Sequence, residues 1–352
     1  MRLTTMEKNL KTLIEPELKD VTPGVQVRAF QNGKTVCDIS LGQTYPYYDF
    51  ASLTKIIFTV QAMMLGFDRG QWNLKTKVKE KLPWIKNDIL IRDLLCHNSG
   101  YQAWHPFYQH LDLKAETALK RTELKNQIAE LSPLVSFDKC VYSDVNFLLL
   151  SFVMESLFEK DLLEVWKEIK QQFYVGTTLD FHPHNQPLYS PSLYAPTEEC
   201  PWRKRLLRGE VHDENTWALD GVSSHAGLFG TIDDLGWYAL HLRSQLMGIA
   251  RYEVKQKTAL LFSKKAVEEG RGDWALGFMM PTPGSSSCGQ YFDLSSTGHT
   301  GFTGTSVWYD PKMDLAVCIL SNRLVYGREN NRFKQLRPKI HNWLVEGLKK
   351  SA

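Results

Sequence analysis

A chain of 352 residues with 43% hydrophobic and 23% charged residues can bury a large core, which excludes collagen-like, coiled-coil and disordered proteins. Its 42 Lys and Arg against 39 Asp and Glu give a net charge of +3, too small over this length to indicate nucleic acid or an anionic membrane as the main partner. We therefore expect a globular protein that acts on a small molecule or a short peptide, and the sequence leaves its oligomeric state open.

The start of the chain carries charges every few positions and has no apolar run long enough for a signal peptide or a membrane span. This predicts a cytoplasmic protein without a membrane span, with export to the periplasm as the alternative. The six cysteines are scattered, without C-x-x-C pairs or metal-ligand spacing, and predict free thiols. They are Cys37, Cys96, Cys140, Cys200, Cys288 and Cys318.

Alternating apolar and polar residues near both ends of the chain predict antiparallel strands. Residues 25–30 and 34–40 flank an Asn-Gly turn and read as a hairpin. Residues 305–310 and 315–320 flank a second turn and read as another strand pair. From Pro338 onward, apolar residues at helical spacing predict a closing helix, with Pro338 at its first position.

The region between these ends has apolar residues at three- or four-residue spacing, which predicts helices. Thr231 and Asp234 form a capping pair for one of them. Together the elements indicate an α/β (α+β) fold with an antiparallel sheet flanked by terminal helices and a large, mostly helical insertion. We expect a sheet domain from residues 1–51 and 266–352, a helical domain from 52–265, and a site in the cleft between them. The predicted helices are 54–65, 88–96, 116–131, 145–159, 161–173 and 231–246.

Common cofactor signatures are missing, because the chain has no Walker loop, no G-x-G-x-x-G after a strand and no H-E-x-x-H. The G-x-S-x-G nucleophile elbow is also absent. The sequence therefore predicts neither a cofactor nor a metal.

A serine and a lysine one helical turn apart, Ser52 and Lys55, begin the apolar stretch IIFTVQAMML. Residues three apart share a helix face, so the lysine amine can reach the serine hydroxyl, as in a Ser-Lys nucleophile pair. Spacing alone does not decide, since residues 136–139 satisfy the same pattern and Ser52 could be a plain helix cap.

Two further elements favour the nucleophile. Tyr142-Ser143-Asp144 stands directly before the apolar stretch FLLLSFVMESL, so its side chains would lie at a helix entrance. His299-Thr300-Gly301 lies in the glycine-punctuated GHTGFTGT before a predicted strand, where backbone can approach a ligand closely.

With these elements in this order, the chain resembles the serine β-lactamase and penicillin-binding-protein superfamily. Within it, the resemblance is to class C β-lactamases, D-alanyl-D-alanine carboxypeptidases and related esterases. Residues 198–235 also look like the segment before the last catalytic element of several such hydrolases. The resemblance implies a β-lactamase/transpeptidase-like fold and covers most of the chain.

The resemblance assigns the chemistry residue by residue. Ser52 would be the nucleophile that forms an acyl-enzyme. Lys55 and Tyr142 would transfer the protons, one activating Ser52 and the other protonating the leaving group. Backbone N–H groups of Ser52 and Phe302 would form the oxyanion hole.

Next to that oxyanion hole, the resemblance places His299 and Thr300 against the substrate, with Gly301 and Phe302 following in the same substrate-binding segment. His299 would supply a hydrogen bond or positive potential where relatives often have lysine.

One residue departs from the superfamily pattern, because Asp144 stands where asparagine is usual. An amide can donate to a substrate carbonyl and an ionised carboxylate only accepts, which puts recognition of penicillin-like acylamino groups in question. If Asp144 lies beside Lys55, its charge favours the ammonium and shifts the base role towards Tyr142. Asn146 is an alternative source of the missing amide.

Simpler readings of individual residues stay open. Tyr142 could be a packing residue, and His225-Ala226-Gly227 competes with the motif at His299, although we interpret His225 as a loop residue lining the cleft. The aromatic stretch 101–108 is either packing or a substrate wall. Several charged residues are interpreted as structural or solvated: the carboxylates Asp213, Glu214 and Asp220, and the basic run Arg203, Lys204, Arg205 and Arg208.

We therefore expect a metal-free serine acyl hydrolase that cleaves an amide or ester: a D-amino-acid peptide, a β-lactam or a small ester. Cytoplasmic location would favour recycled wall peptides or esters. An alternative from another class is a non-catalytic or trapped-acyl binder of penicillin type that stays acylated at Ser52. A structural protein that keeps only the fold is a third.

Overall fold

The computed structural model of the chain describes residues 4–133, 139–249 and 253–351. Its mixture of helices and antiparallel strands confirms the predicted α/β (α+β) class. The described strands are β1 (Gly24–Gln31), β2 (Lys34–Gly42), β3 (Tyr48–Asp49), β4 (Asp180–Phe181), β5 (Pro196–Cys200), β6 (Arg205–Arg208), β7 (Leu228–Gly230), β8 (Thr297–Thr300), β9 (Ser306–Asp310) and β10 (Leu315–Ser321). The described α-helices are α1 (Thr5–Ile14), α2 (Val60–Asp68), α3 (Val78–Lys81), α4 (Ile91–Leu95), α5 (Thr117–Glu130), α6 (Asp144–Phe158), α7 (Leu162–Phe173), α8 (Glu214–Ala218), α9 (Ile232–Leu246), α10 (Gln256–Ser263) and α11 (Arg332–Ser351).

The main sheet of the described chain is antiparallel and has the strand order β2-β1-β10-β9-β8. Both predicted strand pairs are confirmed. Between β1 and β2, Asn32 and Gly33 have φ of 53° and 74°, the left-handed values that a two-residue hairpin turn requires. Since Val25 pairs with Ser321, the two ends of the chain meet at the centre of the sheet.

Helices cover both faces of this sheet because its strands alternate their side chains between two apolar layers. Val317 and Ile319 of β10 pack with α1 and α11, whereas Cys318 and Leu320 pack on the side of α9. All four side chains are completely buried, and an apolar side chain of this size contributes about 1.5–3 kcal/mol by leaving water. The sheet therefore forms a rigid wall beside the helical part.

The helical insertion is organised around α2 and the two turns that precede it. Nearly every side chain from Leu53 to Gly66 is buried, and α2 packs against α6, α7 and α10. α6 is buried along most of its length as well. This packing fixes the helix entrance where the predicted nucleophile lies, while the division into domains at 1–51 plus 266–352 and 52–265 stays a prediction.

The helices predicted from periodicity are present, and the capping pair is confirmed, since Thr231 Oγ1 accepts from the N–H of Asp234 at 3.1 Å. The start of the last helix is corrected. α11 begins at Arg332, so Pro338 lies inside it and not at its first position. Phe333 and Leu336 are buried and extend its apolar face, and this packing outweighs the backbone hydrogen bond that a proline cannot make.

The basic run is also corrected at one position. Arg203 is not exposed: only 3% of its side chain is accessible, and its Nη1 donates to the carbonyl of Val211 at 2.7 Å. Lys204 and Arg205 are exposed, and half-buried Arg208 lies over a tyrosine ring. Arg203 therefore stabilises a turn beside the cleft.

The cysteines are free thiols, as predicted, and all but Cys140 are buried. Within residues 4–133, 139–249 and 253–351, no group of His, Cys, Asp and Glu could hold a metal ion. None of the helices in these ranges is both long and apolar enough to cross a membrane.

Candidate active site

Ser52 lies in a short 3₁₀ turn, Ala51–Leu53, which continues into a π-helical turn, Lys55–Thr59, before α2. Ala51 has φ of 51°, a left-handed value that costs an L-residue about 1–2 kcal/mol. Its N–H donates to Asp49 Oδ1 at 2.7 Å, which helps to hold this backbone. Strain of this kind is frequent beside reactive residues, and here it lies one residue before Ser52.

Lys55 is completely buried, and its ammonium group is surrounded by acceptors. Nζ lies 2.6 Å from Asp144 Oδ1, donates to the carbonyl of His225 at 3.2 Å, and lies 5.0 Å from the ring centroid of Tyr142. Burial alone would lower the pKa of Lys55, but the negative charge of Asp144 and the oxygen of Tyr142 outweigh it and raise that pKa. Lys55 is therefore an ammonium at neutral pH.

Tyr142 provides the direct contact to the serine, because its Oη donates to Ser52 Oγ at 2.9 Å. Three rings hold the phenol in place, at centroid distances of 4.7 Å for His97, 5.7 Å for Trp274 and 5.9 Å for His299. Burial raises the pKa of Tyr142, and the charge of Asp144 raises it further, against the opposing effect of Lys55. Tyr142 therefore keeps its own proton at neutral pH, as Lys55 does.

His299 is buried on β8, and its Nδ1 lies 2.8 Å from the carbonyl oxygen of Thr300. A carbonyl only accepts, so Nδ1 carries the proton. Burial, assisted by the charge of Lys55, lowers the pKa of His299 to about 3, which makes the ring neutral at pH 7. A neutral ring can offer the expected hydrogen bond but not the positive potential, and Nε2 is an acceptor without a hydrogen-bond partner among the described residues.

The turn between β8 and β9 is fastened to the backbone just before Ser52. Thr303 Oγ1 donates to the carbonyl of Asp49 at 2.8 Å, and Thr305 Oγ1 donates to the carbonyl of Phe50 at 3.2 Å. A Cβ on Gly301 would lie 2.6 Å from that Phe50 oxygen, so only glycine permits this approach. Phe302 in the same turn is held beside Ser52 and remains 42% exposed.

Two cavities meet at Ser52, Tyr142 and Phe302. The first, here called the Arg337 lobe, has a volume of about 360 Å³. It is lined by Ser52, Tyr142, Trp274, Met279, Ser287, His299, Thr300, Gly301, Phe302, Arg323, Lys334 and Arg337. The second, called the Asp213 lobe, has a volume of about 190 Å³. It is lined by Ala51, Ser52, Trp104, Tyr142, Asp144, His212, Asp213, Glu214, His225, Ala226, Phe302 and Arg328.

The Arg337 lobe is strongly basic. Arg323 and Arg337 are 1% and 4% exposed, and no carboxylate among the described residues forms an ion pair with either of them or with Lys334. Burial and mutual repulsion lower the pKa of Arg337 to about 9, so it is still a cation at pH 7. Arg323 Nη2 and Arg337 Nε are buried without a hydrogen-bond partner in the described chain, an arrangement that favours an anion.

Carboxylates dominate the Asp213 lobe, and each has a cation or a histidine as partner. Asp144 contacts Lys55, Asp213 Oδ1 lies 2.9 Å from His225 Nε2, and Arg328 bridges Glu214 and Glu198. The interpretation of Asp213 and Glu214 as structural is therefore supported by their partners. Asp220, outside the lobe, likewise binds Lys120 at 2.7 Å.

The structure brings together the predicted residues Ser52, Lys55, Tyr142, Asp144 and His299. Thr300, Gly301 and Phe302 line the same cavity, and His225 lines the cleft as interpreted. Asn146 is no substitute for the missing amide, because its Oδ1 accepts from Ser99 Oγ at 2.5 Å and it lines neither lobe. The competing Ser136–Lys139 pattern lies outside the described residues apart from Lys139.

Other site residues had no clear signal in the sequence. His97, Trp274, Arg323 and Arg337 stand in no motif, and only the fold places His97 against Tyr142 and the other three at the cleft. In the aromatic stretch 101–108, Tyr101 and Phe107 are buried in the core, whereas Trp104 lines the Asp213 lobe.

Residues 10–337 match the family model described as Beta-lactamase. The chain belongs to this family. It is 27% identical over 365 residues to the N-acetylmuramyl-L-alanine amidase of Bacillus subtilis (strain 168), covering 90% of this chain and 80% of that protein. It is 26% identical over 321 residues to an Escherichia coli (strain K12) protein named D-alanyl-D-alanine carboxypeptidase, covering 78% of this chain and 69% of that protein.

Solved structures of the same fold include a class C β-lactamase from Rhodobacter sphaeroides, with a TM-score of 0.69 and 17% identity over 96% of this chain and 99% of that one. The hydrolase EstCE1, described as having promiscuous acyltransferase activity, gives a TM-score of 0.71 with 17% identity over 96% and 98% of the two chains. These likenesses confirm the fold. With the family established, this Beta-lactamase family member is a serine hydrolase, as predicted.

Proposed function

We propose that this protein hydrolyses an amide of a short peptide that ends in a free carboxylate, such as a D-amino-acid peptide, through a covalent acyl-enzyme on Ser52. The similar proteins from Bacillus subtilis and Escherichia coli are named as an amidase and a carboxypeptidase, which favours an amide over an ester.

The observation that carries the proposal is the set of unpaired cations in the Arg337 lobe, directly beside Ser52. Arg323 and Arg337 keep guanidinium N–H groups without protein acceptors, and Lys334 adds a third positive charge. A substrate carboxylate would satisfy these donors and neutralise their repulsion, because charge-assisted hydrogen bonds to buried guanidinium groups are among the strongest in proteins. An uncharged ester would leave them unpaired.

Acylation starts with attack of Ser52 Oγ on the substrate carbonyl carbon. The proton of Ser52 passes along the 2.9 Å contact to Tyr142, once Tyr142 has lost its own proton to solvent and is a phenolate. Lys55 stabilises the phenolate of Tyr142 electrostatically, and the N–H groups of Ser52 and Phe302 receive the developing oxyanion.

Breakdown of the tetrahedral intermediate gives the ester on Ser52 and expels the amine. The proton taken from Ser52 returns from Tyr142 to that amine nitrogen. Water then attacks the ester and gives a proton to Tyr142, and Tyr142 passes that proton to Ser52 Oγ as the serine leaves. Throughout both steps Asp144 remains a carboxylate that holds Lys55.

A trapped-acyl binder is the competing function, and Asp144 is the feature that favours it. By raising the pKa values of Lys55 and Tyr142, its charge lowers the fraction of Tyr142 that is present as the phenolate base at neutral pH, for acylation and deacylation alike. Release of product from a chromogenic ester separates the two: an enzyme continues beyond one equivalent, whereas a binder stops after it.

Substrate choice is tested with a D-alanyl-D-alanine peptide and the same peptide with its terminal carboxylate amidated. We expect kcat/KM to be about tenfold or more higher for the free carboxylate, which corresponds to about 1.4 kcal/mol of differential binding. Arg337→Met should remove that preference, and Arg332→Met, an equal charge change on the exposed start of α11, should keep it. Equal rates for the two peptides in the wild type would contradict the proposal.

A further inference from the structure

The segment 223–228 is hydrogen-bonded directly to the turns that carry the proposed nucleophile. Its backbone accepts or donates at three places, so that it follows the helix entrance closely. The contacts are Thr59 Oγ1 to the Ser224 carbonyl at 2.6 Å, Lys55 Nζ to the His225 carbonyl at 3.2 Å, and the Leu228 N–H to Thr54 Oγ1 at 3.2 Å.

The side chain of His225 in this segment is 1% exposed and has a partner at each ring nitrogen. Nδ1 lies 2.8 Å from Ser223 Oγ, and Nε2 lies 2.9 Å from Asp213 Oδ1. Thr216 Oγ1 is a further neighbour of Nε2 at 3.3 Å. Because a carboxylate only accepts, Nε2 carries a proton and donates it to Asp213.

Ser223, His225 and Asp213 have the composition of a hydrolytic triad but not its geometry. In that triad Nε2 faces the serine and Nδ1 faces the aspartate, and here the two nitrogens are exchanged. Ser223 is 1% exposed and lines neither lobe, so it cannot reach a substrate. With both nitrogens engaged, His225 is not available as a base for water either.

We propose that Asp213, His225 and Ser223 form a positioning array that holds the His225 carbonyl against Lys55 and thereby fixes the ammonium beside Tyr142. This inference rests on the proposed acyl-enzyme function. His225 touches no reacting atom and acts through Lys55, so it is a positioning residue.

The array is suited to this task because each link is anchored. Asp213 accepts from the N–H of Thr216 at 2.7 Å and caps α8. Burial would raise the pKa of Asp213, but its contact with His225 helps to hold that pKa well below its usual range. The bond from Nε2 therefore ends on a full negative charge. Lysine has four rotatable bonds, and a fixed carbonyl opposite Asp144 restricts the directions that Nζ can take.

Two variants of His225 separate the contribution of its hydrogen bonds from the contribution of its side-chain volume. His225→Gln keeps an N–H donor that can reach Asp213, and His225→Ala removes it. We expect His225→Ala to lower kcat by about tenfold to a hundredfold with KM nearly unchanged, because misplacement of a catalytic group affects the chemical step. His225→Gln should recover most of the loss, and His110→Ala, at an exposed histidine, should behave as wild type.

A readout independent of turnover is the ¹⁵N–¹H NMR signal of the Lys55 ammonium, identified by its loss in Lys55→Arg. A buried, hydrogen-bonded ammonium exchanges slowly, so we expect a distinct signal that shifts or broadens in His225→Ala and returns in His225→Gln. An unchanged Lys55 signal in His225→Ala would overturn the proposal, as would equal losses of kcat in both variants or a loss confined to KM. If the NMR result holds while the protein turns over no substrate, the proposed function fails and the positioning array stands.

Discussion

Lys55 Nζ lies 2.6 Å from Asp144 Oδ1, so the lysine one turn after the nucleophile is paired with a carboxylate. The hydroxyl of Ser52 is contacted instead by Tyr142. In the proposed mechanism this arrangement divides two tasks that one amine could perform: Tyr142 exchanges the proton with Ser52, and Lys55 supplies the charge that stabilises the Tyr142 phenolate. On this proposal, the carboxylate of Asp144 sets the pH at which the phenolate forms.

Replacing Asp144 by asparagine should therefore move the pH dependence of acylation to lower pH. The charge of Asp144 raises the pKa values of both Lys55 and Tyr142, so its removal lowers the pKa of each group and makes the phenolate available at lower pH. The measurement is kcat/KM from about pH 6 to about pH 11. Asp88→Asn, which removes a surface aspartate that also contacts lysines, serves as the control, and an unmoved profile in Asp144→Asn would count against the division of tasks.

Removal of the phenol hydroxyl in Tyr142→Phe should lower kcat by about 10²- to 10⁴-fold, the usual contribution of one acid–base group. KM should change little, since the ring keeps its contacts with His97 and Trp274. Tyr291→Phe removes a hydroxyl that bonds only Glu346 in the described chain and should retain wild-type kinetics. A Tyr142→Phe enzyme with normal kcat would show that another group takes the proton.

Gly301→Ala adds one methyl group and changes no charge, and we expect it to disrupt the site. The new Cβ would lie 2.0 Å from Thr305 Oγ1 and 2.6 Å from the Phe50 carbonyl, so the β8–β9 turn must separate from the backbone before Ser52. Gly301→Ala should lose activity and lower the melting temperature. Gly66→Ala is the matched control, because its nearest neighbour is the flexible end of Gln71 at 3.1 Å, and it should fold and react normally. Full activity in Gly301→Ala would mean that activity does not require the β8–β9 turn to pack against the backbone before Ser52.

Acid stability should depend on Glu198, which is paired with Arg328 behind the Asp213 lobe. Burial would raise the pKa of Glu198, but the hydrogen bonds from Arg328 and His212 lower it from 4.5 to about 2. A carboxylate whose pKa is lower in the folded chain than in the unfolded chain stabilises the fold at pH values above its ordinary pKa. This stabilisation is lost as the pH falls from 4.5 towards 2. Because Arg328 is 36% exposed, we expect a loss on the order of 2 kcal/mol across this window.

Urea unfolding at several pH values measures that effect. Glu198→Gln should flatten the acid limb relative to wild type, since the group that titrates has gone. The same acid limb in both proteins would assign the loss of stability to other carboxylates.

The sequence was sufficient where the signal is local. The periodic stretches 116–131, 145–159 and 161–173 predicted α5, α6 and α7 to within a residue or so at each end, because their apolar positions and caps decide where a helix begins and ends. The motifs at Ser52 and Tyr142 predicted two residues that the structure brings together, with Tyr142 Oη 2.9 Å from Ser52 Oγ.

Other features depend on contacts between distant segments, which no local pattern encodes. The role of Arg337 follows from its burial beside Arg323, on a helix whose start was misplaced because packing of Phe333 and Leu336 overrides the proline signal. The charge of His299 depends on its burial, and the pairing of Asp213 with His225 joins two loops. These contacts set the electrostatics of the site.

The central claim, that Ser52 is the nucleophile, is tested most directly by the mass of the intact protein after reaction with a fluorophosphonate. We predict a single adduct, mapped by peptide mass spectrometry to Ser52 and absent from Ser52→Ala. An adduct on another residue, or equal labelling of Ser52→Ala and the wild type, would contradict the account.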